Sequence, residues 1–408
     1  MSHNQYAAWL DKDSEETQVS DPRNLATTYR HDAWGRLTGK TTTISGKSFT
    51  TSYGWGDTGS ALDKLTSITY PSGTRVNYSY DAQGYLSGIT VNPVNANGVG
   101  VSGTATPLLS GIGYTADNRI TGWLWSDSKA RTIGYDSYGQ ITSYSLGDPL
   151  GTGAAAGTQR SLIRDGAGRI TGYSHTNTAN PGAAANLNQA FAYDNLNRLT
   201  NATLGNSTTQ YSYDATGNRT AKIIAGTSYS NTVASTSNRL TQTQDVNGTA
   251  TLQYDAAGHI TSDGTNTFTY SDRGRMTSAT NAGGTVNYLY NGYGQRVHKS
   301  GPTAMVPTGA AYYLYDESGQ LLGEYDAAGN PVYETIYLGN LPVGVLKQTG
   351  TVANGNMSTT VYNVSADQIA TARVITKQDQ TSGWRWETAA AFGGTLPDQN
   401  PTGLGTCV

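Results

Sequence analysis

The chain repeats a pattern in which aromatic residues spaced two apart are followed by a polar cluster and then by an aliphatic residue. In one copy, Tyr78 and Tyr80 precede the cluster DAQGY, and Leu86 follows it. Residues two apart point to the same face of a β-strand, so Tyr78 and Tyr80 are expected to share a face. Asp, Asn and Gly in the clusters favour tight turns. The pattern therefore predicts pairs of short strands joined by turns.

The polar cluster belongs to a phrase that occurs thirteen times, and the copy at Tyr254–Asp263 reads YDAAGHITSD. The modal spacing of about twenty residues indicates a repeat architecture. The copies begin at residues 31, 80, 114, 135, 164, 193, 213, 234, 254, 270, 290, 315 and 325.

The second and fifth positions of the phrase are the most informative. The second is Asp in nine copies, and Thr115, Ser235, Ser271 and Asn291 take its place elsewhere. Each carries a short side-chain oxygen suited to the start of a type I turn. The fifth is always Gly or Asn, which adopt a positive φ most readily. Together they predict a three-residue hairpin loop that ends in a left-handed residue. The expected left-handed residues are Gly35, Gly84, Asn118, Gly139, Gly168, Asn197, Gly217, Asn238, Gly258, Gly274, Gly294, Gly319 and Gly329.

This loop fixes the register of each predicted hairpin. The first position, usually Tyr, is expected to face the seventh, usually Leu, Ile or Met, across the two strands. The second faces the sixth, which pairs Asp194 with Arg198 and Asp165 with Arg169. Cross-strand pairs contribute roughly 0.2–1 kcal/mol each, so their sum over the array is substantial. The structural Tyr–Asp pairs are Tyr80-Asp81, Tyr135-Asp136, Tyr193-Asp194, Tyr213-Asp214, Tyr254-Asp255, Tyr315-Asp316 and Tyr325-Asp326.

Composition supports an all-β fold. Tyr outnumbers Phe by 28 to 4, Gly contributes 50 of 408 residues, and charged residues amount to only 13%. Strong helix formers are sparse, whereas Tyr, Thr, Val and Ile favour strands. The formal net charge of −3 provides no positive stripe for a nucleic acid or an anionic membrane.

The single cysteine bears on disulfide bonds and metal sites, and the N-terminal sequence bears on export. Cys407 alone can build neither a disulfide framework nor a thiolate metal site. The first residues, MSHNQYAAWLDKDSEE, lack the basic and apolar regions of a secretory signal. No run approaches the ~20 apolar residues of a membrane span.

The hairpins are expected to form one long array. Laid side by side, about twenty-six strands would make a ribbon roughly 120 Å long. Open twisted sheets of that extent curl, split or close. We therefore expect an all-β fold in which antiparallel hairpins form one long sheet coiled into a spiral wall.

The iterated phrase YDxxGRLT resembles the Rhs/YD-repeat family, whose members include bacterial polymorphic toxins, the C components of insecticidal Tc toxins and animal teneurins. The resemblance extends from about Arg30 to Gly405. Three C-terminal stretches resemble the Rhs-associated core, namely EYDAAGNPVYETIYLGNLPVGVL (Glu324–Leu346), GWRWETAAAFGG (Gly383–Gly394) and NPTGLG (Asn400–Gly405).

The resemblance implies a hollow β-shell that sequesters a C-terminal toxic polypeptide, released by an autoproteolytic region with DPxG motifs. This chain ends at Val408, before such a region, so the shell is expected to be incomplete and the effector absent. Asp21-Pro22 and Asp148-Pro149 lie far upstream and receive no catalytic role. The expected division is a lead-in segment at 1–30, the hairpin array at 31–330 and the start of the core region at 331–408.

Other motifs are better explained by structure than by chemistry. Asp57-Thr58-Gly59-Ser60 spells an aspartic-protease signature, but that chemistry requires a second copy. The Gly-rich stretch Gly151–Gly157 lacks the Lys-Ser or Lys-Thr of a phosphate loop. The recurrent Asp is interpreted as a turn cap rather than a cation ligand. Five histidines show no metal-ligand spacing, so no catalytic, metal or cofactor site is predicted and the chain is not expected to be an enzyme. They are His3, His31, His175, His259 and His298.

Two functions remain at this stage. The preferred one is the shell of an Rhs-type toxin, secreted or at the cell surface in the intact protein, with a C-terminal toxin as cargo and a contractile type VI machine as export route. The alternative is a surface adhesin or a carbohydrate-binding repeat protein, in which aromatic faces would serve as stacking platforms. The candidate platforms are Trp34, Trp55, Trp123, Trp125, Trp384 and Trp386.

Overall fold

The structure is a computed structural model that describes residues 7–10, 16–21, 25–95, 100–101, 103–350 and 357–399. Side-chain surroundings are described from Leu25 onward. Cys407, His3 and the stretch Asn400–Gly405 lie outside the described residues.

Short strands make up most of the described chain, and they fall into two sheets. The first sheet contains twenty-one strands. They are β1 (Ala7–Leu10), β2 (Glu16–Asp21), β3 (Leu25–His31), β4 (Leu37–Ile44), β5 (Lys47–Trp55), β6 (Leu65–Thr69), β7 (Arg75–Tyr80), β8 (Leu86–Asn92), β9 (Thr106–Tyr114), β10 (Ile120–Trp125), β11 (Ala130–Tyr135), β12 (Ile141–Ser145), β13 (Gln159–Arg164), β14 (Ile170–Thr176), β15 (Gln189–Tyr193), β16 (Leu199–Leu204), β17 (Ser207–Tyr213), β18 (Arg219–Ile224), β19 (Thr227–Val233), β20 (Leu240–Asp245) and β21 (Gly248–Thr251).

The second sheet contains thirteen strands. They are β22 (Gln253–Tyr254), β23 (Ile260–Ser262), β24 (Thr267–Tyr270), β25 (Met276–Asn281), β26 (Gly284–Tyr290), β27 (Arg296–Ser300), β28 (Ala310–Tyr315), β29 (Leu321–Asp326), β30 (Pro331–Leu338), β31 (Leu341–Thr349), β32 (Ser358–Ala366), β33 (Ala372–Lys377) and β34 (Ser382–Arg385). Helical structure in the described residues is confined to α1 (Pro181–Ala185) and the 3-10 turns Gly59–Ala61 and Pro307–Gly309.

The topology is a meander. Within the described residues, each strand pairs antiparallel with its neighbours in the chain, except that β21 and β22 do not pair with each other. The two sheets meet at Leu252, whose N–H donates to the Thr241 carbonyl at 2.9 Å. Hairpins that follow one another in this way extend the sheet without a crossover connection.

The meander coils, because its late strands pack onto the face of its early strands. Lys40 Nζ donates to the Tyr315 carbonyl at 2.9 Å, and the Tyr144 hydroxyl donates to Gln368 Oε1 at 2.8 Å. Lys40 precedes Tyr144 in the early segment, and their partners Tyr315 and Gln368 follow the same order in the late segment. The late segment therefore runs along the early segment in the same direction. The fold class is confirmed as an all-β hairpin array coiled into an incomplete spiral shell, with the hairpins in two sheets where one long sheet was expected.

Two regions of the wall differ in thickness. In the overlap, defined as β3–β14 together with β27–β34, two layers enclose a continuous apolar core. In the single wall, defined as β19–β26, the only buried side chain among the described residues is Val286. Core side chains of the first layer include Ile44, Val76, Ile89, Leu108 and Leu109, and those of the second include Ile336, Val343, Leu346 and Val374.

Candidate functional site: the repeat hairpin and the overlap

The hairpin loops share one geometry. Apart from Asn238, every expected left-handed residue has a φ between 63° and 94°. In a representative loop, the Gly84 N–H donates to the Asp81 carbonyl at 3.0 Å and the Asp81 N–H to the Tyr85 carbonyl at 2.9 Å. Tyr80 lies opposite Leu86, so the first position faces the seventh as the loop length requires.

The loop at Asn238 departs from this geometry. Val233 pairs with Leu240, seven residues later, and the Ala234 N–H donates to the Arg239 carbonyl at 2.9 Å. The connection is therefore one residue longer than in the other copies. A longer loop reverses the chain without a left-handed residue at Asn238, so the expected positive φ there is wrong.

The Asp of each phrase caps its own loop. Asp194 Oδ1 accepts hydrogen bonds from the Leu196 N–H at 2.9 Å and the Arg198 N–H at 3.0 Å. Arg198 Nε reaches Asp194 Oδ2 at 2.7 Å, which is the predicted cross-strand pair. The backbone N–H of Arg198, followed by its side chain, lowers the pKa of the Asp194 carboxyl. The carboxylate thus stabilises the turn through its charge.

Tyrosine hydroxyls connect successive hairpins. The Tyr213 hydroxyl donates at 2.7 Å to the carbonyl of Leu199, the first residue of the return strand in the preceding hairpin. Since Phe lacks this donor, the geometry explains why the sequence uses Tyr so much more often. The same bond joins Tyr80 to Leu65, Tyr114 to Leu86, Tyr135 to Ile120, Tyr193 to Ile170, Tyr254 to Leu240, Tyr270 to Ile260 and Tyr315 to Arg296.

Arginine at the sixth position adds a second connection. Arg198 Nη1 donates to the Asp214 carbonyl of the next hairpin at 2.8 Å. Its guanidinium lies 4.9 Å from the centre of the Tyr213 ring. A cation over an aromatic face is attractive. Tyr, Asp and Arg of the phrase therefore bind hairpins to one another.

Sequence reasoning missed a further copy of the loop, capped by Asp like most of the others, at Ala366–Ala372. Asp367 Oδ1 accepts from the Ile369 and Thr371 N–H groups, each at 3.0 Å, and Ala370 has a φ of 63°. Alanine at the left-handed position concealed this copy. Asp367 at the second position was the available signal.

Polar side chains also cross between the two layers of the overlap. Buried Arg160 donates from Nε to His175 Nε2 at 2.8 Å and from Nη2 to the Glu387 carbonyl. Because His175 Nε2 accepts this bond, its ring is neutral, and burial lowers the pKa of His175 to about 4. Lys40 Nζ forms an ion pair with Glu317 at 2.9 Å. The layers are thus joined by hydrogen bonds and charge as well as by the apolar core.

Residues in the motifs that suggested catalysis or ligand binding form ion pairs and hydrogen bonds within the fold. Asp57 is exposed and pairs with Arg36 Nη2 at 3.0 Å. The Gly-rich stretch curls around the carboxylate of Asp148, which accepts from the Gly153 N–H at 2.7 Å. His259 Nδ1 lies 2.9 Å from Asp255 Oδ2. Among the described residues, no three His, Cys, Asp or Glu side chains are grouped as metal ligands.

Three of the six tryptophans proposed as sugar platforms are buried inside the wall. Trp123 and Trp125 are each 4% exposed and pack edge to face with centroids 5.3 Å apart, and Trp384 is 8% exposed. Trp34 is 72% exposed, but the Arg36 guanidinium lies 4.6 Å from its ring centre. Three of the six indoles are therefore core surface, and Trp55 and Trp386 are half-buried.

A cavity of about 520 Å³ lies between the layers. Leu25, Ile44 and Leu314 contribute apolar surface, while Lys40 and Glu317 contribute charge. Since Lys40 and Glu317 pair with each other, the cavity offers no uncompensated charge from these two groups.

No helix in the described part of the chain has the length and apolar character to cross a bilayer. No protein of curated function matches the chain by sequence.

Two protein-family models match. The teneurin YD-shell model matches residues 109–306, and the RHS repeat model matches residues 11–48 and 60–93.

Solved Tc toxin structures are similar in fold. The TcdB2-TccC3-Cdc42 crystal structure has a TM-score of 0.67 at 14% identity, with 94% of this chain and 21% of that chain covered. The TcdB2-TccC3 structure gives 0.64 at 15% identity and the same coverage. The Photorhabdus luminescens Tc holotoxin pore gives 0.66 at 14% identity, covering 94% of this chain and 20% of that chain. The chain thus spans about a fifth of these structures, and identities this low show the fold alone. Given the repeat, the fold and both family models, the chain belongs to the Rhs/YD-repeat family.

Proposed function

We propose that this chain is the shell portion of an Rhs-type polymorphic toxin, a wall that encloses a C-terminal toxic polypeptide and helps to deliver it. The observation that carries the proposal is the coiled, double-layered meander, whose similarity to the Tc structures covers 94% of the chain. A wall of this kind acts by enclosing space, so its repeated residues serve structure.

The phrase residues fit this role. Tyr213, Asp194 and Arg198 each bond within a loop or to the neighbouring hairpin. We infer that the left-handed residues and the Tyr–Asp pairs are structural, and that the chain is not itself an enzyme. The lead-in at 1–30, the array at 31–330 and the core segment from 331 are proposed units of one wall.

The cargo and the route of delivery are inferred from the family. The proposed cargo is a polypeptide encoded after Val408, and the proposed route is export by a contractile type VI machine, with the assembled toxin outside the producing cell. The additional wall that full enclosure requires would come from further repeats, since this chain spans about a fifth of the Tc structures.

Sequencing the gene beyond Val408 and expressing the entire reading frame tests the proposal. We expect DPxG motifs followed by a polypeptide that resists protease while the shell is intact and is digested once the shell is unfolded. A downstream segment that is digested as fast as an unfolded control, with the shell still folded, would overturn the encapsulating role.

A further inference from the structure

A buried carboxyl group joins the two layers of the overlap at Glu334. Glu334 lies in β30, and its side chain is 0% exposed. Its Oε1 accepts hydrogen bonds from the Ser72 N–H at 3.1 Å and the Tyr325 hydroxyl at 2.7 Å. Its Oε2 lies 2.5 Å from Ser72 Oγ. Ser72 is in the turn between β6 and β7, so one carboxyl group connects residues 262 positions apart.

The turn is held at other points as well. The Tyr70 hydroxyl donates to the Thr335 carbonyl at 2.8 Å, and Gln348 Nε2 donates to the Ser72 carbonyl at 3.3 Å and to Thr74 Oγ1 at 3.2 Å. The segment 70–74 is thus clamped onto β30 and β31. Glu334 is the acidic group of this clamp.

The surroundings of Glu334 provide hydrogen bonds but no counter-charge. Among the described residues, no Lys, Arg or His side chain forms an ion pair with it. The titratable groups that face it are Tyr70 from the first layer and Tyr325 from β29. Burial raises the pKa of both tyrosines well above their ordinary value, so both remain neutral. A buried carboxylate without a cation is costly.

The same geometry accommodates a neutral carboxyl group. In the ionised form, Ser72 Oγ donates to Oε2. In the neutral form, a proton on Oε2 is donated to Ser72 Oγ, while Oε1 continues to accept from the Ser72 N–H and Tyr325. A hydroxyl can act as donor or acceptor, so every bond is kept. Only the ionised form carries an uncompensated charge between the layers.

We propose that Glu334 is a proton-dependent latch between the two layers of the shell. The neutral carboxyl group holds the 70–74 turn against β30, and loss of its proton weakens that contact. The latch gives the overlap a pH response opposite to that of an ordinary surface carboxylate.

The expected direction follows from linkage. Desolvation by burial raises the pKa of Glu334 from its ordinary 4.5 to about 7. The folded chain therefore binds this proton more tightly than the unfolded chain does. The stability that the protonated Glu334 contributes is fully present below about pH 4.5 and is lost as the pH rises to about 7. A pKa difference of this size changes the unfolding equilibrium constant by about two orders of magnitude.

Urea unfolding of the full chain between pH 5 and pH 8.5 tests the latch, with wild type compared to Glu334→Gln. Gln keeps the acceptor at Oε1 and donates from its amide to Ser72 Oγ, so it mimics the neutral carboxyl group at every pH. Relative to wild type, Glu334→Gln is expected to gain stability as the pH rises, up to about 100-fold in the unfolding equilibrium. Other titrating groups, His175 included, are shared by both proteins and cancel in the difference.

Glu317→Gln is the matched control, because Glu317 also crosses the layers but is partly exposed and paired with Lys40. The difference in stability between Glu317→Gln and wild type is not expected to grow as the pH rises. The same difference in both variants, or a difference between Glu334→Gln and wild type that does not change with pH, would overturn the proposal.

Hydrogen exchange on the wild-type chain provides an independent readout if Glu334→Gln does not fold. After correction for intrinsic rates, amides of segments 70–76 and 331–338 are expected to lose protection between pH 5.5 and pH 8.5. Amides of β20 in the single wall serve as the reference. Equal changes in both regions would contradict a latch located at Glu334.

Discussion

The overlap and the single wall are built from the same hairpin but are stabilised in different ways. In the overlap, Leu108 and Ile336 are 0% exposed because a second layer covers them. In the single wall, Leu240 and Ile260 are only half-buried, and cohesion comes from bonds between neighbouring hairpins, such as Tyr254 to Leu240. The repeat therefore supplies lateral cohesion everywhere, whereas burial is supplied where the chain covers itself.

Truncating a core side chain should give the largest difference in stability loss between the overlap and the single wall. Leu108→Ala is expected to destabilise the overlap by about 2–5 kcal/mol, because it removes buried contacts and leaves a cavity. Ile260→Ala in the single wall is expected to cost about 1 kcal/mol, since half-exposed surface gains less from burial. Urea unfolding of each variant measures the difference. Equal losses would show that the overlap is not the better packed region.

Acid should weaken the overlap through His175. Burial lowers the pKa of His175 from 6.5 to about 4, so the neutral ring contributes stability that is present above about pH 6.5 and is lost as the pH falls towards 4. The neutral His175 ring contributes about 3 kcal/mol to the free energy of unfolding when its full effect is present. His175→Gln, which keeps an acceptor for Arg160, should lose less stability than wild type between pH 7 and pH 4.5 in urea unfolding. Identical pH slopes would contradict this account.

A small residue is required at Gly344, where the second layer lies close to Leu108 of the first. A Cβ at Gly344 would lie 2.9 Å from Leu108 Cδ2 and 3.2 Å from Ile336 Cδ1. Gly344→Ala is therefore expected to cost about 1–3 kcal/mol by overpacking. Gly166→Ala, in a hairpin loop with nothing within 4 Å of the added carbon, is the control. Thermal unfolding should show a lower midpoint for Gly344→Ala, and equal midpoints would contradict close contact of the layers.

Removing one tyrosine hydroxyl should have the smallest effect. Tyr254→Phe loses the bond to the Leu240 carbonyl at 2.6 Å and is expected to cost about 1 kcal/mol. Tyr138→Phe is the control, because Tyr138 is 87% exposed at a loop tip and should change stability by less than about 0.5 kcal/mol. Hydrogen exchange of β20 and β22 locates the loss. An unchanged exchange rate in Tyr254→Phe would show that the hydroxyl does not join the hairpins.

The hairpin was predictable from sequence because its causes are local. Asp194, Asn197 and Arg198 lie within five residues of one another, and each has a conformational or hydrogen-bonding preference that a single phrase reveals. The same reasoning assigned a left-handed conformation to Asn238 incorrectly. One extra residue lengthens that loop, although the repeated phrase in the sequence looks unchanged. It missed Ala370, because alanine rarely adopts the φ of 63° found there.

The overlap was not predictable in detail, because it depends on how much each hairpin twists and bends the wall. No local feature around Ser72 indicates Glu334 as its partner, since the two residues meet only after many hairpins of accumulated curvature. The tryptophans show the same limit, because Trp123 is buried by neighbours in space that the sequence does not identify. Local chemistry specifies the repeat unit, and curvature specifies the pairing of layers.

The meander has a consequence for synthesis of the protein. Apart from β22, which begins the second sheet, each described strand pairs with the one made just before it, so each sheet can assemble strand by strand as the chain leaves the ribosome. The cover for Lys40, however, arrives 275 residues later, at Tyr315. At ordinary translation rates that interval lasts roughly 14 to 55 seconds. During this time the apolar face of the first layer is open to water and to other nascent chains, so its assembly depends on what shields that face before the coil returns.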